Sequence, residues 1–223
     1  MITYIIKGGP IMVPIILSSI AAGAFVVIAW QRLREASKHQ KETIAVIELA
    51  DQKRAWPTIL EILSQTTHPF LKSWQAGFHL LTEGKSDLRD IEETVSLESA
   101  KYIFELEFPI KALGALTGTL TMLGFLGTIV GLIISFQTWE RMGAQVSISQ
   151  LSGGIYQAMI TTAAGLIVAI PYHLIHHFFA AWSEKLTLKC STETTELFRK
   201  IKDALIHEIP AEIEEEPALT LKS

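Results

Sequence analysis

Seven residues, Thr117, Thr121, Gly124, Thr128, Gly131, Ser135 and Thr138, are all small or hydroxyl-bearing. Their spacing alternates four and three, which places them along one side of a helix in a coiled-coil-like crossing. Between them stand Leu120, Met122, Leu123, Phe125, Leu126, Ile129, Val130, Leu132 and Ile133, so one narrow polar stripe faces a broad apolar surface. A later stretch repeats the pattern less strictly with Ala158, Thr162, Gly165 and Ala169, beside a second stripe of Gly154, Gln157, Thr161 and Ala164. Hydroxyls of this kind orient water and solvate a carboxyl group, but they do not titrate near neutrality.

Two readings of the stripes stay open. Helices in lipid associate through small residues that allow close approach, and Gly114-xxx-Gly118 and Gly127-xxx-Gly131 fit that use. Threonine can also bond its own helix at i−4. The other reading is a water-lined passage or a groove for a partner. A proton pathway through lipid usually carries an ionisable residue. Here no Asp, Glu, Lys or Arg lies within the apolar runs, and the nearest candidate is the neutral amide of Gln157. A proton route through these stripes therefore needs a titrating group from another chain.

The elements that position the stripes are three apolar runs. Ile11–Trp30 has 20 residues without a charge, Ala112–Trp139 has 28, and Met142–Tyr172 has 31 and continues apolar through Phe178, Phe179 and Trp182. About 20 mostly apolar residues cross the hydrocarbon core. All three runs qualify, and the last two have length to spare. The first resembles a signal peptide only superficially. Gln31-Arg32-Leu33-Arg34 stands where a small-residue cleavage site would be needed, so a retained anchor is expected. The expected class is an all-α polytopic membrane protein whose long helices extend into the cytoplasm.

Basic residues set the orientation. Arg32, Arg34, Lys38, Lys41, Lys101, Lys111, Lys185 and Lys189 flank one side of the spans, against Lys7 and Arg141 on the other. The expected layout has residues 1–10 outside, a span at 11–30 and a cytoplasmic helical segment at 31–111. A second span at 112–139, an outer loop at 140–150 and a third span at 151–182 follow. A cytoplasmic helix at 183–207 and a disordered acidic tail at 208–223 complete the chain. Within 31–111, Pro57 and Pro69 punctuate short helices at Ile59–Leu63 and Phe70–Leu81. Residues 82–86 read as a loop, Ser86 as an N-cap with Asp87 and Asp90 in the first turn, and Pro109 as a kink near the membrane surface. Leu197, Ile201 and Leu205 share a face of the last helix.

Several chemistries are excluded. Net charge is −4, hydrophobic residues make up 49% of the chain, and no basic patch interleaved with aromatics invites nucleic acid. The single cysteine, Cys190, forms no internal disulfide and reads as a small packing residue. There is no catalytic motif, Gly-rich phosphate loop or paired-cysteine metal site, so neither enzyme activity nor a cofactor is expected. His173, His176 and His177 have metal-like spacing, but no cysteine or acid joins them, so an interfacial role is expected and no metal. Glu105 and Glu107 read as solvated or paired with Lys101 and Lys111. Trp30, Trp139 and Trp182 suit an aromatic belt.

The stretch Gly124-Phe125-Leu126-Gly127-Thr128-Ile129-Val130-Gly131-Leu132 resembles the second-span motif of the MotA/TolQ/ExbB proton channel family. Residues 154–171, from Gly154-Ile155-Tyr156-Gln157 through Thr161-Thr162 and Gly165 to Ala169-Ile170-Pro171, resemble its third-span motif. Gly8-Gly9-Pro10-Ile11-Met12-Val13-Pro14 is similar to the family's entry into the first span. Size and the single cytoplasmic segment resemble ExbB or TolQ more than MotA. The resemblance implies a ring-shaped homopentamer in the bacterial inner membrane, with its N-terminus and short loop periplasmic. Its second and third spans would line a pore around a single-span partner of ExbD/TolR type that contributes an aspartate. Proton flow would power work at a distance, commonly through a TonB- or TolA-type protein.

Thr128 and Thr162 match the hydroxyl positions that face the partner's acid. Thr117, Thr121, Ser135, Thr161 and Gln157 join them as expected pathway residues. Gly114, Gly118, Gly124, Gly127, Gly131, Gly154, Ala158, Gly165 and Ala169 are expected to pack the helices. The chain departs from the family where some members carry glutamate at the position of Gln157, proline near Thr121 and glutamate near Gln31. The competing reading is a scaffold that anchors other proteins and conducts nothing. A stand-alone transporter is disfavoured by the small span count and the missing intramembrane charge. The process energised, ExbB against TolQ duty, and H+ against Na+ coupling are not encoded in these motifs.

Overall fold

The computed structural model describes residues 7–38, 61, 63–64, 69–82 and 88–208. The expected helix around Ile59, the 82–86 loop beyond Thr82, the Ser86 cap and the acidic tail from residue 209 lie outside the described residues. Those described form helices and short turns, with no strand among them. The helices are α1 (Met12–Lys38), α2 (Pro69–Thr82), α3 (Leu88–Met142) and α4 (Ile148–Glu208). Three of them, α1, α3 and α4, are long and apolar enough to cross a membrane. At about 1.5 Å per residue, the 55 residues of α3 and the 61 of α4 exceed by far a hydrocarbon core about 30 Å thick. Both helices must therefore continue beyond the bilayer.

Local sequence explains the starts and joints. Gly9 turns the chain at φ +72°, and the amides of Met12 and Val13 bond back to the carbonyls of Gly9 and Pro10. Pro14 then sits in the first turn of α1, where no intrahelical donor is needed. Pro69 opens α2 for the same reason. A one-turn 3-10 helix, Gly143–Gln145, joins α3 to α4 and starts at a glycine with φ +54°. Ser147 then caps α4. Its hydroxyl accepts the Gln150 amide at 3.3 Å, while the Gln150 side-chain oxygen accepts the Ser147 amide at 3.0 Å. This is a capping box, readable in the sequence as S-x-x-Q.

Pro109 lies inside α3 and the helix continues through it. Proline has no amide proton, so the carbonyl of Glu105 loses its intrahelical partner. The Arg32 guanidinium of α1 donates to that carbonyl. The charge that ends the first span thus satisfies the backbone group that proline frees. Phe25 of α1 and Phe108 of α3 meet edge-on nearby, with ring centroids 6.4 Å apart.

The chain divides into two compact units. The first, residues 1–34 and 104–184, holds the apolar spans. Met12 and Ile15 of α1, Leu120 of α3 and Ala169 of α4 form its buried cluster, flanked by Leu123, Ala164, Val168 and Tyr172. The Tyr172 hydroxyl donates to the carbonyl of Ser19 at 3.1 Å, tying α4 to α1. Trp30 stacks edge-on against Trp182, with ring centroids 5.8 Å apart.

The second unit, residues 35–103 and 185–223, has its own core. Leu71 and Trp74 of α2, Ile91 and Val95 of α3 and Leu197 of α4 are buried, with Leu63. Gly77 of α2 is where that helix comes close to Ile91 and Val95. Two pairs of polar groups meet inside. The Ser73 and Ser99 hydroxyls lie 2.9 Å apart, and the Trp74 indole donates to Thr194 at 3.2 Å. Burial pushes the Tyr102 hydroxyl above its ordinary value and the Cys190 thiol up to about 11, with Glu193 adding to the thiol's rise.

Two outcomes follow from this packing. Cys190 should stay a thiol at pH 8, with about a hundredfold less thiolate than a thiol titrating at 9.0. Its alkylation rate in the folded chain should then climb about tenfold per pH unit toward pH 11, which mass spectrometry of quenched samples would follow. For the spans, a Cβ at Gly165 would stand 2.9 Å from the Cα of Gly124, and one at Gly131 would stand 2.6 Å from the carbonyl oxygen of Gly154, whereas one at Gly118 would meet nothing within 4 Å. Gly165→Ala and Gly131→Ala should each cost about 1–3 kcal/mol, and Gly118→Ala should change little, in reversible unfolding from detergent micelles.

Candidate pathway between the second and third spans

The chemistry-bearing residues sit where α3 and α4 run antiparallel. Gly114 lies against His176, Gly124 against Gly165, Gly127 against Thr161, Gly131 against Ala158 and Gly154, and Ser135 against Gly154. From Gly114 to Ser135 the seam covers about 31 Å of α3, close to the thickness of the hydrocarbon core. At Gly124 and Gly165 the contact is backbone on backbone: a Cβ at Gly165 would stand 2.9 Å from the Gly124 Cα, and one at Gly124 would stand 3.3 Å from the Gly165 Cα.

The hydroxyls fall into two groups. Thr117, Ser135 and Thr161 are 3%, 4% and 1% exposed and belong to the packing side. They were expected along the pathway; within the single chain their contacts lie in the seam. Thr117 donates to the Leu113 carbonyl at 2.7 Å. Ser135 lies within bonding distance of Gly131 on its own helix, at 3.2 Å, and of Leu151 across the seam, at 3.1 Å. Thr161 donates to the carbonyls of Gln157 and Ala158. The second group lies on the flank. Thr121 is exposed, and Thr128, Thr138 and Thr162 are half-buried. Thr128 donates to the Phe125 carbonyl at 2.6 Å, Thr121 to Thr117 at 3.3 Å and Thr138 to Ile134 at 2.9 Å. Thr162 differs, because it reaches across to the Gly124 carbonyl of α3 at 2.8 Å. Gly124 lies one turn before Thr128, so Thr162 engages the helix segment that carries Thr128.

The buried phase of α3 is Leu113, Thr117, Leu120, Gly124, Gly127, Gly131 and Ser135. That of α4 is Gly154, Ala158, Thr161, Gly165 and Ala169. Gly118 meets no other part of the described chain, so it takes no part in this seam. On α3, Met122, Phe125, Ile129, Ile133 and Phe136 are exposed, as an apolar surface in contact with lipid or protein would be.

Gln157 has an unforeseen neighbour. A Cβ at Gly9 would stand 2.2 Å from its Nε2, so the turn before α1 lies directly on this amide, at a φ of +72° that favours glycine. Lys7 sits over the Tyr156 ring, 5.3 Å from its centroid. Two consecutive residues of α4 thus hold the turn that precedes α1. The sequence signal was Gly8-Gly9-Pro10, which marks a turn without naming what it covers.

At the other end of the spans, Glu107 pairs with Lys111 at 2.8 Å, and Lys101 pairs with Glu98 rather than with either expected acid. His173 and His177 bring their Nε2 atoms to 3.1 Å, while His176 faces Gly114. Among the described residues no three His, Cys, Asp or Glu side chains gather in a way that could hold a metal ion.

Known proteins are similar to this chain in sequence. The MotA/TolQ/ExbB proton channel family matches residues 64–192. The biopolymer transport protein ExbB of Neisseria meningitidis serogroup A is 23% identical over 202 residues, covering 81% of this chain and 87% of that protein. The Tol-Pal system protein TolQ of Pseudomonas aeruginosa is 30% identical over 119 residues, covering 53% of this chain and 49% of that protein. With a family match over more than half of its length and three helices apolar enough to span a membrane, the chain belongs to the MotA/TolQ/ExbB proton channel family, as an ExbB/TolQ-like membrane protein.

Proposed function

We propose that this chain is the proton-channel or stator subunit of an inner-membrane energy-transducing complex. It would couple the proton motive force to transport or work across the envelope. In this reading the chain forms a homopentameric ring with its N-terminus periplasmic and its C-terminus cytoplasmic. The second and third spans enclose a single-span partner of ExbD/TolR type that supplies an aspartate, and a TonB- or TolA-type protein carries the work outward.

The observation that carries the reading is the pairing of hydroxyls with an absence of acids. Thr128 and Thr162 flank the α3–α4 seam, and no Asp, Glu, Lys or Arg stands between residues 112 and 139 or between 142 and 182. A hydroxyl whose proton is held by a backbone carbonyl keeps its oxygen lone pairs as acceptors. In that state it takes a hydrogen bond from a protonated carboxyl group. To donate to a carboxylate it must first turn away from the carbonyl. Thr128 and Thr162 in the arrangement seen here therefore suit the protonated partner acid. Release of that proton would be matched by rotation of the hydroxyls.

A non-conducting scaffold is the second reading. It is favoured by one observation: every hydroxyl on the stripe, from Thr117 to Thr138 and at Thr161 and Thr162, lies within bonding distance of a main-chain carbonyl.

Proton flux separates the two. The chain and its single-span partner are reconstituted in vesicles that carry a pH-sensitive dye. Thr128→Val with Thr162→Val should lower flux at least about tenfold with the oligomer intact, because each lost bond to a charged group is worth about 1.5–3 kcal/mol. Thr→Ser at both positions should restore it. Undiminished flux in the valine pair would sink the hydroxyl assignment. Loss of the oligomer itself would favour the scaffold.

A further inference from the structure

The fold sorts the three histidines at the end of the third span remote from the α3–α4 turn. His176 lies against Gly114 of α3, and its Nδ1 is buried without a hydrogen-bond partner. His173 and His177 are exposed, and their Nε2 atoms stand 3.1 Å apart. We propose that His173 and His177 form a two-imidazole chelate for a divalent first-row transition-metal ion such as Cu2+, Ni2+ or Zn2+, with solvent oxygens completing its coordination.

The distance carries the inference. Metal–nitrogen bonds of about 2.0–2.1 Å, at angles between square and tetrahedral, place two nitrogens on one ion about 2.9–3.4 Å apart. The observed 3.1 Å falls within that interval. Positions i and i+4 share a helix face, and two histidines so spaced are a recurrent metal-binding pair. The helix fixes both ligands before the ion arrives, which keeps the ordering cost small. Without an ion, 3.1 Å is also the length of a hydrogen bond in which one imidazole donates to the other. When an ion enters, solvent takes the shared Nε2 proton and returns one to Nδ1 of the same ring, so both imidazoles stay neutral and offer their Nε2 lone pairs.

Absence of a cysteine or acid beside the three histidines was the reason to expect no metal from the sequence, and among the described residues no group of three such ligands gathers. A chelate of two needs none. It leaves the ion open on its solvent side and exchangeable. The imidazole pair also sets the class of ion. Mg2+ and Ca2+ demand oxygen, whereas copper, nickel and zinc accept imidazole, with Cu2+ bound more tightly than Zn2+.

The test uses the full chain, purified in detergent without a polyhistidine tag and titrated with Cu2+, Zn2+ and Mg2+ in a calorimeter. Copper should saturate one site per chain, and its electron paramagnetic resonance spectrum should show two coordinated nitrogens. Zinc should bind more weakly, and Mg2+ should give no saturable heat. His173→Ala and His177→Ala should each weaken copper binding by about tenfold or more. His176→Ala should leave it unchanged. His177→Asn, which keeps a polar side chain of similar size, should behave as His177→Ala. Failure to saturate, a copper spectrum without two nitrogens, or affinity that survives the His173→Ala/His177→Ala pair would overturn the assignment. The spectrum of the unaltered chain is decisive even if a variant folds poorly.

Discussion

Two helix backbones touch where Gly124 of α3 meets Gly165 of α4, and the arrangement of the spans follows from that contact. Lipid offers no hydrophobic drive for helices to associate, so they must gain contact energy from closeness. Closeness requires residues without bulk, which glycine and alanine supply along the centre of the seam. Larger side chains then project from its edges, and leucine, isoleucine and phenylalanine cover the outer surface of α3. The contact also sets the register. Two hydroxyls bridge the helices in that register: Ser135 reaches Leu151 of α4, and Thr162 reaches the Gly124 carbonyl of α3.

A second constraint is the low dielectric around the seam. An unpaired hydroxyl there is costly, and each stripe hydroxyl has a carbonyl within reach. These bonds stabilise without adding charge. The spans can therefore stay closely packed while their hydroxyl oxygens keep unused acceptor capacity. A pathway with its own carboxylate would have to solvate a charge within the same seam. Gln157 shows the alternative: a neutral amide held beneath the Gly9 turn.

Much of this was legible in the sequence, and the remainder fails for definable reasons. The three apolar runs correspond to helices because length and charge depletion are local properties. The residue types of the seam were visible too, but not its phase. Positions 117, 121, 124 and 128 and positions 117, 120, 124 and 127 both alternate by three and four, and the two sets differ by a single residue at alternate steps. Hydroxyl content favoured the first set, whereas burial follows the second and takes in Leu120 and Gly127. Long-range partners were hidden for another reason. Pro109 announced a freed carbonyl, yet no local pattern says that Arg32, 73 residues earlier, would satisfy it. The Ser147–Gln150 capping box is local and its S-x-x-Q pattern is present in the sequence, but the same residues also fit a plain connection between two spans.

That connection has a mechanical consequence. Residues 143–147 alone join α3 to α4, and the capping box fixes the last of them to the first turn of α4. A linker this short transmits torque. If α3 rolls about its axis, the chain at the turn has no slack to absorb the motion, and the interdigitated backbones resist slippage along the seam. The two spans would then turn as a pair, as meshed gears do. A rotation that moves Thr128 relative to its surroundings would carry Thr162 with it.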